Sequence, residues 1–359
     1  MKKIILFLII CLFITGCYDN IELNDLSIIN GIGIDYKNDN FYITYEILND
    51  TKTSNNEVLK SYTKTGHGKT INEAFINTNY KISKKSYFAH LKLTIISESI
   101  AKSHLTEIVD YFLRDPNIRD EFILLISKDS HPEDILNSAS DDTPNVTSSI
   151  IELLENDSYN NNTISLNEPY EKLISKLINK NYDITINSIT FENNIIELSN
   201  NGIFKNNELQ SYLSKKDSAL YNLLTNKKAK YTPEKKYEDK TVAINVYDAK
   251  KDIKVTKDLI DITINCEGKI LENNKEFNLI KTETFKKLNK DFSKVLETEI
   301  KDFIKTLQDN ESDILGLQEI YYKKYRKNNK KLWKNANIKV HVNLIINRKG
   351  FTYEVKDEK

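Results

Sequence analysis

Residues 282–308 read TETFKKLNKDFSKVLETEIKDFIKTLQ. Phe285, Leu288, Phe292, Val295, Leu296, Ile300, Phe303, Ile304 and Leu307 recur at steps of three and four, the spacing of one helix face. The other face is rich in Lys, Glu and Asp, with Glu299 and Lys301 among its members. A helix striped in this way gains its stability by covering its apolar face. The flanking chain offers the cover. Val242, Ile244 and Val246 occupy alternate positions, as do Ile260, Ile262, Ile264 and Cys266, and Ile338, Val340, Val342, Leu344 and Ile346. Such alternation describes strands with one dry and one wet face, which suits an antiparallel sheet. The expectation is a long helix near 282–308 packed on that sheet, and a further helix beginning at Ser312-Asp313 and running through Tyr321 and Tyr322.

Toward the N-terminus the two periods are mixed. Phe41, Ile43, Tyr45 and Ile47 alternate with Tyr42, Thr44, Glu46 and Leu48, a strand whose hairpin partner is Val58 to Thr65. Thr70 and Glu73 make a capping box for a helix burying Ile71, Ala74, Phe75 and Thr78. Leu91 to Ile96 and Phe122 to Ile126 read as short buried strands. Between them a helix carries Ala101, Leu105, Ile108, Val109 and Phe112 on one side and stops at Arg114-Asp115-Pro116. Pro132 suits a first helical turn, and Asn145 to Leu154 and Glu168 to Ile178 are further helices joined by a polar, mobile connection. Gly202-Ile203-Phe204 and Leu209 to Leu213 flank an Asn206-Asn207 turn, and Ser214 with Asp217 opens a helix to Leu224.

Strands and helices without regular alternation imply an α+β fold, built of two or three mixed α/β domains with antiparallel sheets packed against helices. A length of 359 residues accommodates that number. The expected division is 27–195 and 196–359, with a hinge near 181–200 and with the first domain using both its start and that hinge region.

The first 26 residues read differently. Lys2 and Lys3 precede an apolar run from Ile4 to Phe13, followed by Ile14-Thr15-Gly16-Cys17 and then polar residues. A positive start, a short apolar core and small residues before a cut describe an export signal over 1–16. The run is shorter than the roughly 20 residues a spanning helix needs. The last four residues resemble a bacterial lipobox, which implies cleavage between Gly16 and Cys17, a diacylglyceryl group on the Cys17 sulfur, acylation of its amino group, and a tether over 17–26. Two chains matter because one acyl chain, at about 0.8 kcal/mol per buried CH₂, holds a protein only marginally.

Composition excludes several classes. Basic and acidic residues both number 52, so no excess charge argues for nucleic acid. Cys11 leaves with the leader and Cys17 takes lipid, so Cys266 stands alone on the apolar side of its strand, a core residue with no disulfide to form. Gly66-His67-Gly68-Lys69-Thr70 ends like a phosphate loop, but Thr63 stands where the first glycine is needed. Gly31-Ile32-Gly33 has Tyr36 in place of the third glycine of a dinucleotide fingerprint. His67, His90, His104, His131 and His341 share no ligand-like spacing. No cofactor, metal or catalytic constellation is expected.

Three stretches together resemble one family. They are Cys17-Tyr18-Asp19 through Glu22-Leu23-Asn24-Asp25 to Gly31-Ile32-Gly33-Ile34-Asp35; then His90-Leu91-Lys92, Ile100-Ala101-Lys102 and Phe112 to Arg119; then Ser312-Asp313-Ile314-Leu315-Gly316 with Trp333 and the strand to Arg348-Lys349-Gly350. Gly202-Ile203-Phe204-Lys205 with Leu213-Ser214 fits between them. The chain resembles the Ger(x)C family, the C-subunit lipoproteins of spore germination receptors. It departs from the family at Tyr18, where Trp is usual, at Asn20 and Ile21, where basic residues are common, and at Gln318, where Gly is frequent.

The resemblance implies three mixed α/β domains without enzyme activity, on the outer face of the spore inner membrane. It implies two integral-membrane partner subunits, one transporter-like, in a complex that senses nutrients and triggers ion and dipicolinate release. Membrane lipid through Cys17 is the other expected partner, and Arg114, Asp115 and Arg119 are the candidate contacts with the receptor subunits. The alternative is a solute-binding lipoprotein of a transporter, which calls for two lobes of repeated strand-helix units around a cleft.

Overall fold

A computed structural model describes residues 23–49, 60–157, 160, 162–165, 168–178, 182–226, 228–275, 277–279, 281–326 and 332–347. The proposed leader, Cys17 and the Arg348-Lys349-Gly350 end therefore lie outside the described residues.

The first sheet begins as a meander of β1 (Leu26–Lys37), β2 (Asn40–Asn49) and β3 (Lys60–Gly68). Next come α1 (Ile71–Asn79), β4 (Lys85–Tyr87), β5 (Leu93–Ser97), α2 (Glu98–Ser103), α3 (Leu105–Arg114) and β6 (Ile123–Lys128). Then α4 (Pro132–Leu136), α5 (Val146–Asp157), α6 (Tyr170–Ile178), β7 (Ile184–Ile186), β8 (Ser188–Glu192) and β9 (Ile195–Leu198) follow. The strand order is β3-β2-β1-β5-β6-β8-β9, with β4 beside β1. This sheet is mixed rather than antiparallel, because β1, β5, β6 and β8 run parallel. The helices between these strands supply the crossovers that parallel pairing needs. Both faces are covered, so β5 and β6 are buried almost throughout. Leu93, Ile95, Ile123 and Leu125 face α4 and α5, while Ile96, Leu124 and Ile126 face α1, α3 and α6.

Gly31 and Glu46 both serve the packing of α5. A Cβ on Gly31 would collide with Thr147 Oγ1, so the glycine lets α5 lie on β1. Glu46, on the wet side of the β2 alternation, is 0% exposed. Its carboxylate accepts from Val146 N at 2.8 Å, Thr147 N at 3.0 Å and Ser61 Oγ at 2.6 Å, at the N-terminus of α5. The capping box forms as read, with Thr70 Oγ1 accepting from Glu73 N at 3.1 Å and Glu73 Oε2 from Lys69 N at 2.7 Å.

The hinge region divides between two sheets. β8 and β9 complete the first sheet, whereas β7 pairs with β10 (Gly202–Lys205), itself paired with β11 (Glu208–Tyr212). The expected boundary at 195/196 thus falls inside β9, because residues 196–198 still pair with β8. After β11 comes α7 (Lys215–Thr225), capped by Ser214 Oγ accepting from Asp217 N at 3.0 Å. The connection expected to be mobile is pinned among its described residues. Asp157 Oδ2 accepts from Ile164 N and Ser165 N at 2.9 Å, and Asn222 Nδ2 donates to Thr163 O at 2.8 Å.

The last sheet has the order β12 (Glu234–Tyr237), β13 (Lys240–Val255), β14 (Leu259–Asn273), β15 (Asn337–Ile346). Its first three strands are antiparallel, but β14 and β15 are parallel from Leu259↔Asn337 to Gly268↔Ile346. The crossover between them holds α8 (Thr282–Asp309) and α9 (Leu317–Tyr325). Phe285, Leu288, Phe292, Leu296, Ile300, Phe303, Ile304 and Leu307 bury against Val242, Ile244, Ile262, Ile264 and Val342. Cys266 joins this core, where burial pushes its thiol up to about 12.

Polar residues of α8 close the sheet edge. Glu297 Oε1 accepts from Val342 N at 3.0 Å, Ser293 Oγ from Leu344 N at 3.3 Å, and Asn289 Oδ1 from Ile346 N at 3.0 Å. Glu299 is bound rather than free in solvent, accepting from Tyr231 OH at 2.9 Å and meeting Lys216 Nζ at 2.7 Å.

Candidate functional site

The loop at 114–119 is built as a helix stop. Asp115 leaves the helical region at φ −88°, ψ 108° ahead of Pro116. Its Oδ1 accepts from Asn117 N at 2.9 Å and Asn117 Nδ2 at 2.8 Å, an Asx turn. Buried Ile118 pins the loop to the core. Arg114 Nε reaches back to Asp110 Oδ2 at 2.8 Å, with both side chains in water. Arg119 is exposed. The candidate trio is therefore not one cluster: Arg114 and Asp115 serve their own backbone and helix, and Arg119 is the member turned outward. Since β1 and β6 run parallel to the shared neighbour β5, the loop enters β6 from the end of the sheet at which β1 begins.

The Ser312-Asp313-Ile314-Leu315-Gly316 segment sits where the domains meet. It does not start the helix, as its sequence suggests; α9 begins at Leu317. Asp313 instead accepts from Leu317 N and Gln318 N, both at 2.7 Å, across a turn completed by Gly316 at φ +69°. A Cβ on Gly316 would enter the ring of Tyr182. Asp183 joins the same knot: its Oδ2 accepts from Asp313 N at 2.7 Å, and its N donates to Asp313 O at 3.3 Å. Burial, helped by the neighbouring Asp183 carboxylate, raises the Asp313 carboxyl to about 7 against three backbone donors that lower it. Asp183 is itself raised by burial, countered by the Asp313 backbone donor and by Lys205.

Sequence reading missed Tyr182 and Asp183, which carry no periodic signal, and it missed the role of Asp313. Among the described residues, no group of three or more His, Cys, Asp or Glu is placed to hold a metal ion. Among them, no helix is long and apolar enough to cross a membrane.

These two motif-bearing segments fall in separate halves of the chain, and each half has known relatives. Residues 19–191 match the family described as Spore germination protein N-terminal domain, and residues 199–350 match Spore germination B3/GerAC like, C-terminal. The chain belongs to the Ger(x)C family. Spore germination protein GerQC of Bacillus cereus is 23% identical over 98% of this chain and 100% of its own length. Spore germination protein A3 of Bacillus subtilis (strain 168) is 26% identical over 76% of this chain and 75% of its own length. Spore germination protein KC of the same organism is 30% identical over 37% of this chain, and the aligned stretch spans only 35% of KC. The crystal structure of the GerBC protein aligns with a TM-score of 0.53 at 16% identity, covering 91% of this chain and 99% of that one. The mixed α/β, multi-domain architecture is thus a Ger(x)C fold, with the long helix α8 as expected from its stripe.

Proposed function

We propose that the chain is a lipid-anchored, non-enzymatic subunit of a nutrient germinant receptor, held on the outer face of the spore inner membrane. Membership of the Ger(x)C family across both halves carries this reading. The Gly16-Cys17 lipobox supports the anchor, with two or three acyl chains giving stable attachment. Confinement to the bilayer surface raises the effective concentration of the integral-membrane partners, so a modest interface suffices. The alternative of a two-lobed solute-binding protein finds no support, since the three sheets differ in strand number and order.

Six residue steps lead from Cys17 to Leu23, a reach of at most about 20 Å. In this reading the sheet end that bears both the start of β1 and the 114–119 loop faces the membrane, and Arg119 contacts the integral subunits. The test is a Cys17→Ala strain. Loss of the protein from the membrane fraction together with a sharp fall in nutrient-triggered germination is expected. Full germination with the protein still membrane-bound contradicts the reading.

A further inference from the structure

A pocket of about 360 Å³ opens where α6, α7, β13 and the Ile314-Leu315 segment converge. That size lies within the range of small-molecule sites, and domain junctions are a preferred place for them. Its charge is unbalanced. Lys172 and Lys176, one turn apart on α6, and Lys251 of β13 line it together with one carboxylate, Glu168. Glu168 is engaged by Lys176, at 2.9 Å and 3.0 Å. Among the described residues, no carboxylate pairs with Lys172 or Lys251. The Asp183 and Asp313 carboxylates are not among the lining groups and are engaged by backbone N–H groups.

Lys251 comes to the pocket from β13 of the last sheet. It stands directly opposite Ile264, whose side chain is 1% exposed, and directly opposed residues of an antiparallel pair share a face. Ile253 and Val255 follow on that face, each opposite a buried isoleucine of β14. Lys251 is nevertheless exposed, so its side chain runs out from that face and lines the pocket instead of entering the core. A register shift between Tyr247 and Lys250, with Asp248 at φ +48°, precedes it, and bulges of this kind re-aim side chains toward sites. Exposed overall, Lys251 is still held below the ordinary lysine value by partial loss of solvent in the pocket and by the Lys176 ammonium. Tyr182, Thr225 and Asn226 line the same space and bring hydrogen-bonding groups beside the positive charge.

We infer that this junction pocket binds a compact oxyanion, a carboxylate or phosphate group of a small molecule, through Lys172, Lys176 and Lys251. Such a ligand touches α6, α7 and β13 at once and ties them together. The inference rests on the pocket and holds whether or not Cys17 is lipidated.

The test is calorimetric titration of the full chain in detergent with inorganic phosphate and, separately, with citrate, at fixed ionic strength. One saturable site for either anion is expected, accompanied by a rise in Tm. Phosphate alone binding assigns a phosphate ligand, and citrate alone a carboxylate ligand. Lys251→Met is expected to fold with unchanged or higher Tm in the absence of anion, because it removes a like charge beside Lys176. It should weaken binding by about tenfold to a hundredfold. Lys172→Met, on an exposed part of α6, should weaken it less, and Lys290→Met, on the exposed face of α8, not at all. Absence of a saturable site for both anions overturns the proposal, as does undiminished binding by both Lys251→Met and Lys172→Met.

Discussion

The first and last sheets each fasten a helix, and they do so from opposite sides. In the N-terminal domain the strand reaches to the helix: one buried carboxylate, Glu46, takes two backbone N–H groups at the start of α5 and the Ser61 hydroxyl. In the C-terminal domain the helix reaches to the strand: Asn289, Ser293 and Glu297 take three N–H groups along the free edge of β15. The second arrangement works because the spacings agree. Four residues of helix rise about 6 Å, and two residues of strand rise about 6.6 Å. Three successive bonds therefore stay in register while the helix runs against the strand. An edge capped in this way is also closed to pairing with other chains. One fastening is concentrated in a single side chain, the other is distributed over three.

The largest expected effect follows from that contrast. Glu46→Ala should cost about 3 kcal/mol, since it strands several donors in a fully buried place. Urea unfolding of the full chain measures this, and a loss below about 1 kcal/mol breaks the comparison. Alanine at Asn289, Ser293 or Glu297 singly should cost about 1 kcal/mol, and all three together about 2–3 kcal/mol. The triple variant should also self-associate in size-exclusion chromatography as the edge opens; a monomeric triple variant would show that something else guards β15.

The junction between the two regions adds a pH dependence. The Asp313 carboxyl lies at about 7 in the folded chain against an ordinary 3.8, so between those values the folded state keeps a proton that the unfolded chain has released. Its contribution to stability is complete below pH 4 and is lost as the pH rises through about 7, at no more than about 1.4 kcal/mol per pH unit. Asp313→Asn should flatten this part of the profile, which urea midpoints at pH 5 and pH 8 for both chains would reveal. The smallest effects belong to the 114–119 loop. Asp115→Ala should cost about 1 kcal/mol through its turn, and Arg114→Ala clearly less, because its partner Asp110 is in water. Thermal unfolding resolves the two.

Periodicity made the elements legible and left their partners hidden. The stripe from Phe285 to Leu307 and the alternation in β13, β14 and β15 reported which face is dry, and those faces form the core. Alternation says nothing about strand direction, so the parallel pairing of β14 with β15, 78 residues apart at Leu259 and Asn337, was invisible. Polar letters hid the rest. Glu46 reads as a wet-face residue and Glu299 as a solvent charge until a neighbour distant in sequence supplies their donors. Lys251 looked unremarkable because the shift at Tyr247/Lys250 breaks the period that would have placed it opposite Ile264. The resemblance in 312–316 flagged a place without its mechanism, since Asp313 acts together with Asp183, which no local pattern singles out.

The anchor is the claim on which the functional account turns, and intact-mass spectrometry of the native protein extracted from spore membranes tests it most directly. The account predicts a chain that starts at Cys17, lacks residues 1–16 and carries the added mass of a diacylglyceryl group with or without an N-acyl chain. A chain with its leader intact, or with Cys17 as a free thiol, would contradict it.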